Sequence, residues 1–204
     1  MHVSPEPFSA QVRHTASFVG AVGVLLIGGM ALMQTLPAPA RITDTPDNAA
    51  RQPCTLQPDG FLRVRFFGAL DFTADWSGAD LLCDGMWRPD GKGVRLFFAK
   101  TQPGGDRLSL LIGIDGRPES SVGIERSANV TVIDESQGRF FSTGGAGRCW
   151  ASIKSATALP GARGRPAGLR IAGLVYCVGA LPAIGDRSSL TLGDLYFAGR
   201  VAGD

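Results

Sequence analysis

The chain reads as an all-β protein: an antiparallel β-sandwich or jelly-roll-like domain of about nine or ten strands, preceded by one N-terminal transmembrane or signal helix. Three observations carry this expectation. Ala16–Met33 is an unbroken run of 18 residues without a charge. Beyond residue 60, apolar residues recur at every second position rather than every third or fourth. Turn signals rich in glycine punctuate those runs, and the chain holds 28 Gly in 204 residues, about double the usual ~7% share.

The N-terminal run comes first. Helical residues rise about 1.5 Å each, so a segment over 16–36 spans the ~30 Å core of a bilayer. Arg13 and His14 precede it, and Asp44 and Asp47 follow. That order keeps the N-terminal residues 1–15 inside the cytoplasm and sends the rest across. The segment is either a retained signal anchor or a cleaved signal peptide. Ala38-Pro39-Ala40 offers an A-x-A cleavage pattern, which would release a secreted chain. Against cleavage, the apolar run is longer than the usual ~7–15 residues of a signal peptide's hydrophobic stretch. Residues 37–53 carry four prolines and no apolar period, as expected of an extended linker.

The folded unit is therefore expected over 54–204, on the periplasmic or extracellular side. Leu62, Val64 and Phe66 alternate with Arg63 and Arg65. Leu70, Phe72, Ala74 and Trp76 follow at the same spacing, as do Val94, Leu96 and Phe98, then Leu108, Leu110, Ile112 and Ile114. Val130-Thr131-Val132, Phe140-Phe141, the Leu169–Val175 run, Leu190/Leu192 and Leu195/Phe197 complete the strand candidates. Asp90-Gly91 and Asp115-Gly116 suit tight hairpin turns, where glycine accepts positive φ. Residues 150–158 are the one stretch with some helical potential, and Gly193-Asp194 marks a possible bulge in the last strand.

All four cysteines lie beyond the membrane segment. In an exported domain an even count reads as disulfides. Four cysteines allow three pairings; the near-equal spacings of 54 to 83 and 149 to 177 favour Cys54–Cys83 and Cys149–Cys177. In each pair the second cysteine begins Cys-x-Gly and is followed by an aromatic-Ala ending, Phe98-Ala99 or Phe197-Ala198, a faint internal echo.

Several function classes are excluded. The only histidines are His2 and His14, so the exported domain cannot build a Ser-His-Asp triad, a Cys-His dyad or a His-ligated zinc site. There is no C-x-x-C pair, Walker pattern, dinucleotide fingerprint or G-x-S-x-G elbow. No metal and no cofactor is expected. With 20 Lys+Arg against 18 Asp+Glu, no basic excess supports nucleic-acid binding.

Carboxylate and aromatic chemistry remains. Asp71, Asp75, Asp80, Asp84 and Asp90 interleave with Trp76, Trp87 and Arg88. From this stretch Trp76, Asp84, Trp87 and Arg88 are the candidate ligand-binding residues, because indole faces stack on sugar rings and carboxylates accept hydroxyls. The competing structural reading places the aspartates in turns and Trp76, two residues from Ala74, in the core. Asp134-Glu135 is a second acidic pair. The expected function is a non-enzymatic cell-envelope domain that binds a protein partner or glycan, with the membrane as a further partner through residues 16–36. The alternative is a carbohydrate-active hydrolase using two carboxylates about 5–10 Å apart.

Overall fold

The computed structural model describes residues 52–56, 58–144 and 147–203, all within the unit Thr45–Asp204. The expected membrane segment, the linker up to Arg51 and part of the Gly144–Gly147 loop lie outside the described residues. Among the described residues, no helix is long and apolar enough to cross a membrane.

The domain is all-β. Its strands are β1 (Phe61–Gly68), β2 (Phe72–Ser77), β3 (Leu82–Trp87), β4 (Gly93–Thr101), β5 (Arg107–Asp115) and β6 (Glu125–Asp134), followed by β7 (Arg139–Ser142), β8 (Cys149–Leu159), β9 (Gly168–Cys177), β10 (Leu181–Pro182), β11 (Ser189–Leu192) and β12 (Leu195–Ala202). Every pairing is antiparallel, and all 12 strands belong to one sheet in the order β10-β11-β1-β12-β9-β8-β6-β5-β4-β3, with β2 on β1 and β7 on β6. Beyond the nine strand candidates of the sequence, the sheet holds β3, β8 and the two-residue β10.

Two strands turn the corners. β6 pairs β8 through Glu125–Ala128 and β7 through Thr131–Asp134, while β5 occupies its other edge. β1 does the same, pairing β12 through Phe61–Arg63 and β11 through Phe66–Gly68, with β2 opposite. The bridge between Phe141 and Ala183 then joins β7 to β10, supported by the Ile184 amide donating to the Phe140 carbonyl at 2.8 Å. Hydrogen bonding thus returns on itself through β1, β12, β9, β8, β6, β7, β10 and β11. β3, β4 and β5 form a wing off β6 that folds back over β12.

Burial follows the predicted alternation. Leu62, Val64 and Phe66 of β1, Leu96 and Phe98 of β4 and Leu110, Ile112 and Ile114 of β5 point inward. Phe98 and Phe197, the aromatics of the two echoed endings, meet in the core with ring centroids 6.4 Å apart. Their surroundings differ, however. Cys149 and Cys177 are directly opposed on β8 and β9. Cys54 instead lies opposite Leu81, as the Cys54 amide donating to the Leu81 carbonyl shows, and reaches diagonally to Cys83. Both expected disulfides are present, and among the described residues no cysteine is free.

Three local expectations change. Residues 150–158 are strand, not helix: Cys149, Ala151 and Ile153 face inward and pairing with β9 overrides the weak propensity of this Ser/Ala-rich stretch. The irregularity in the C-terminal half is a register shift between Ile153 and Ser155; at Gly193-Asp194 the chain leaves β11 and starts β12, the Gly193 amide donating to the Arg65 carbonyl. Asp90-Gly91 does close the β3–β4 hairpin, with Gly91 at φ 65°. Asp115-Gly116 opens a longer connection containing the 3-10 turn Pro118–Ser120.

Candidate functional site

The structure separates the four residues expected to share a ligand. Trp76 is 4% exposed; the face it would offer a sugar is inside the core, where alternation with Phe72 and Ala74 puts it. Trp87, at the end of β3, is half-buried and carries the Arg117 guanidinium 5.0 Å over its ring. Arg88, the next residue, bridges Asp90 at 2.9 Å and also pairs with Asp115. Its guanidinium thereby locks the hairpin tip to the end of β5.

Asp84 sits apart from these. Asp71 pairs with Arg65, Asp75 with Arg63 at 2.8 Å, Asp80 with Lys100 at 3.7 Å and Asp90 with Arg88. Among the described residues, Asp84 alone of the five has no cation within 4.0 Å. It lies between two shallow grooves. One, of about 430 Å³, includes Gln52, Leu159 and Arg200; the other, of about 210 Å³, includes Met86, Arg95, Phe97 and Leu111.

The more organised polar cluster lies at the opposite end of β4 and β5 and contains the second acidic pair. Leu108 of β5 opposes Asp134 of β6, so the tips of the β4–β5 and β6–β7 hairpins stand side by side. Gly104 and Gly105, at φ 111° and 93°, shape the first tip, and the Gln102 amide donates to the Asp106 carbonyl at 2.6 Å. In the second tip, Asp134 Oδ1 accepts from Ser136 Oγ at 2.7 Å and from the Gln137 amide at 3.3 Å. Its Oδ2 accepts from Arg139 Nη2 at 2.8 Å. Glu135 Oε1 accepts from Ser109 Oγ at 2.7 Å and lies 3.4 Å from Arg107 Nε. Leu70 and Phe72, from the β1–β2 corner, complete a cavity of about 220 Å³ between the three turns.

The electrostatics define what Asp134 can do. Burial pushes its carboxyl up, but the hydrogen bonds from Arg139, Ser136 and the Gln137 amide outweigh burial and hold its pKa below the ordinary 3.8. A general acid in glycoside cleavage needs the opposite shift. The lowered pKa also fixes a sign: the ionised group stabilises the fold above the unfolded-state pKa of ~3.9, and that contribution fades as pH falls through the folded value. Asp134→Asn should therefore cost about 2 kcal/mol at pH 7, with the gap to wild type narrowing progressively below about pH 4. Urea midpoints of both proteins at pH 7, 5, 4 and 3 check this; a gap of constant size across the series would refute it.

Sequence reasoning identified Asp134-Glu135 as an acidic pair but missed Gln102 and Arg107, which flank a Pro-Gly-Gly-Asp turn and carry no motif. Among the described residues, no group of three or more His, Cys, Asp or Glu is placed to hold a metal ion. Comparison with known proteins finds no matching family model, curated protein or solved structure.

Proposed function

We propose that the chain is an exported cell-envelope β domain, tethered to the membrane through residues 16–36 or released near Ala40, which binds a glycan or a protein partner without converting it. The curled sheet, with its wing folded over β12, is read as a sandwich-like support for such a site. The observation that carries the proposal is the structural commitment of the groups that would otherwise react. Four of the five carboxylates between Asp71 and Asp90 are in ion pairs. Asp134 and Glu135 are each held by an arginine, and all four cysteines are bridged. The two disulfides suit an oxidising compartment, which supports placing this unit outside the cytoplasm. The hydrolase alternative is weakened because Asp134 titrates in the wrong direction for a proton donor.

The test uses the full chain produced in its native membrane context. Fractionation and mass measurement are expected to find it in the envelope, either whole or shortened near residue 40. Incubation with envelope glycans and peptides is expected to leave them intact. Turnover that disappears in Asp84→Asn would overturn the non-catalytic reading, and a reduced cytosolic protein would overturn the location.

A further inference from the structure

We propose that the tip of the β8–β9 hairpin, residues 160–167, is a docking surface for an anionic phospholipid bilayer, with Arg163 and Arg165 facing its headgroup phosphates. This goes beyond the binding function above and rests on its membrane tether. Charge segregation points to the hairpin first. From 136 to 185 the chain carries Arg139, Arg148, Lys154, Arg163, Arg165 and Arg170 and no Asp or Glu. The near-neutral total of +2 therefore hides a basic segment whose excess is balanced elsewhere in the chain. Arg163 and Arg165 lie in its longest exposed run: all of 160–167 is exposed, and no ion pair among the described residues involves either arginine.

The tip is also ordered. The Arg165 amide donates to the Ala162 carbonyl at 3.2 Å, and the Ala167 amide to the Leu159 carbonyl at 3.0 Å. Arg163 sits at φ 54°, the only positive φ among the described non-glycine residues. Such conformations persist where the surrounding structure imposes them, and they cluster at functional sites. Position selects the occupant. Leu159 and Ala167, on either side of the tip, line one groove with Gln52 and Arg200, where Asp84 is the one carboxylate. Arg200 donates to the Gln52 side chain, and the Gly203 amide donates to the Ala167 carbonyl at 3.0 Å. The hairpin tip thus stands at the end of the domain that the linker residues 37–51 join. Those 15 residues reach at most about 50 Å, so a tethered domain keeps this end near the bilayer at high effective concentration. The tip sequence PGARGRPA holds no aromatic or long aliphatic side chain. Its contact is therefore electrostatic, at the level of the headgroups, and involves no insertion.

The test reconstitutes the full oxidised chain in phosphatidylcholine vesicles with and without phosphatidylglycerol and follows amide hydrogen exchange over 160–167. Slower exchange is expected only on the anionic vesicles at about 0.05 M salt, and it should vanish near 1 M, where the Debye length falls to ~3 Å. Arg163→Gln and Arg165→Gln should each weaken the contact about fivefold, the equivalent of ~1 kcal/mol per cation at an anionic surface. Arg163→Lys/Arg165→Lys should keep most of the protection, because a surface contact needs charge and not a bidentate fork. Arg148→Gln, at the other end of β8, should change nothing. Inorganic phosphate added to the neutral vesicles should not slow exchange; if it does, the tip takes free phosphate and the bilayer is the wrong partner. Equal exchange on both vesicles, or full protection in Arg163→Gln/Arg165→Gln, would overturn the surface. Retention on neutral vesicles in the same high salt reports the anchor separately. A chain that is retained but unprotected defeats the docking surface alone, whereas a chain that washes off defeats the tether and this inference with it.

Discussion

Replacing Cys54 and Cys83 together by alanine is expected to lower the unfolding free energy by roughly 3–4 kcal/mol. The two cysteines are separated by 29 positions. Cross-linking them removes the corresponding loop-closure entropy from the unfolded chain, and in that account the magnitude depends on loop length. The loss is a large share of a net stability that typically amounts to only about 5–15 kcal/mol. Native contacts add to it. Both sulfurs are fully buried, and Gly60 lacks a side chain because a Cβ there would collide with Cys54 Sγ. Outside a regular strand ladder, the segment around Cys54 is otherwise held by scattered contacts, among them the Pro53 bridge to Leu82, the Cys54 amide to Leu81, the Gly78 amide to the Gly60 carbonyl, and Arg170 Nε to the Pro58 carbonyl at 3.0 Å. Hydrogen exchange should therefore show Cys54 and Gly60 amides losing protection first in the double variant. In Cys149→Ala/Cys177→Ala, by contrast, β8 and β9 stay paired from Trp150 to Leu159, so local protection there should persist even as global stability falls. Equal local loss at both sites, or a change in denaturant midpoint worth less than about 1 kcal/mol for the first pair, would contradict this account.

The contrast between the bridges also shows what is legible in the residues themselves. Strand identity is local: a side chain's alternation between faces is written in consecutive positions, so β1, β4 and β5 can be read directly from Leu62/Val64/Phe66, Val94/Leu96/Phe98 and the Leu108–Ile114 run. β8 misleads because its Ser and Ala residues lack β-branching; the β9 partner that makes it a strand lies some way downstream. Ring closure is less legible still. It depends on a single bridge, Phe141 to Ala183, between two short strands separated in sequence by two others and their connections. The same limit applies to the cavity. Asp134-Glu135 is visible as a charged pair, but its meeting with Gln102 and Arg107 is set by the register that puts Leu108 opposite Asp134. Trp76 could be placed correctly only by letting its spacing from Ala74 outweigh its chemical appeal as a sugar platform.

Gly85→Ala is expected to destabilise the domain by about 3 kcal/mol, or some 6–12 °C in midpoint for a domain of this size. Gly85 has no need of unusual φ; the constraint is proximity. A Cβ at this position would collide with the carbonyl oxygen of Arg200 on β12, with the Arg95 carbonyl and a Leu96 methyl each 3.1 Å away. Two of these three obstacles are backbone, so no rotamer change relieves the clash. Relief requires β3 to move off β12. That movement would propagate inward, because Phe98 of the adjoining strand packs on Phe197 and occupies the space that Gly199 leaves open: a Cβ on Gly199 would lie 2.8 Å from Phe98 Cζ. The wing and β12 therefore approach through glycine on both sides, with a phenylalanine ring filling one gap and a carbonyl the other. Phe98→Ala tests the same contact by removing volume instead of adding it and should cost about 3–5 kcal/mol. If the two variants act on one interface, the double variant should fall short of the sum of the singles, since the cavity left by the ring gives β12 room to yield. Additive losses in urea denaturation of the oxidised protein would show instead that β3 meets β12 independently of the Phe98 packing.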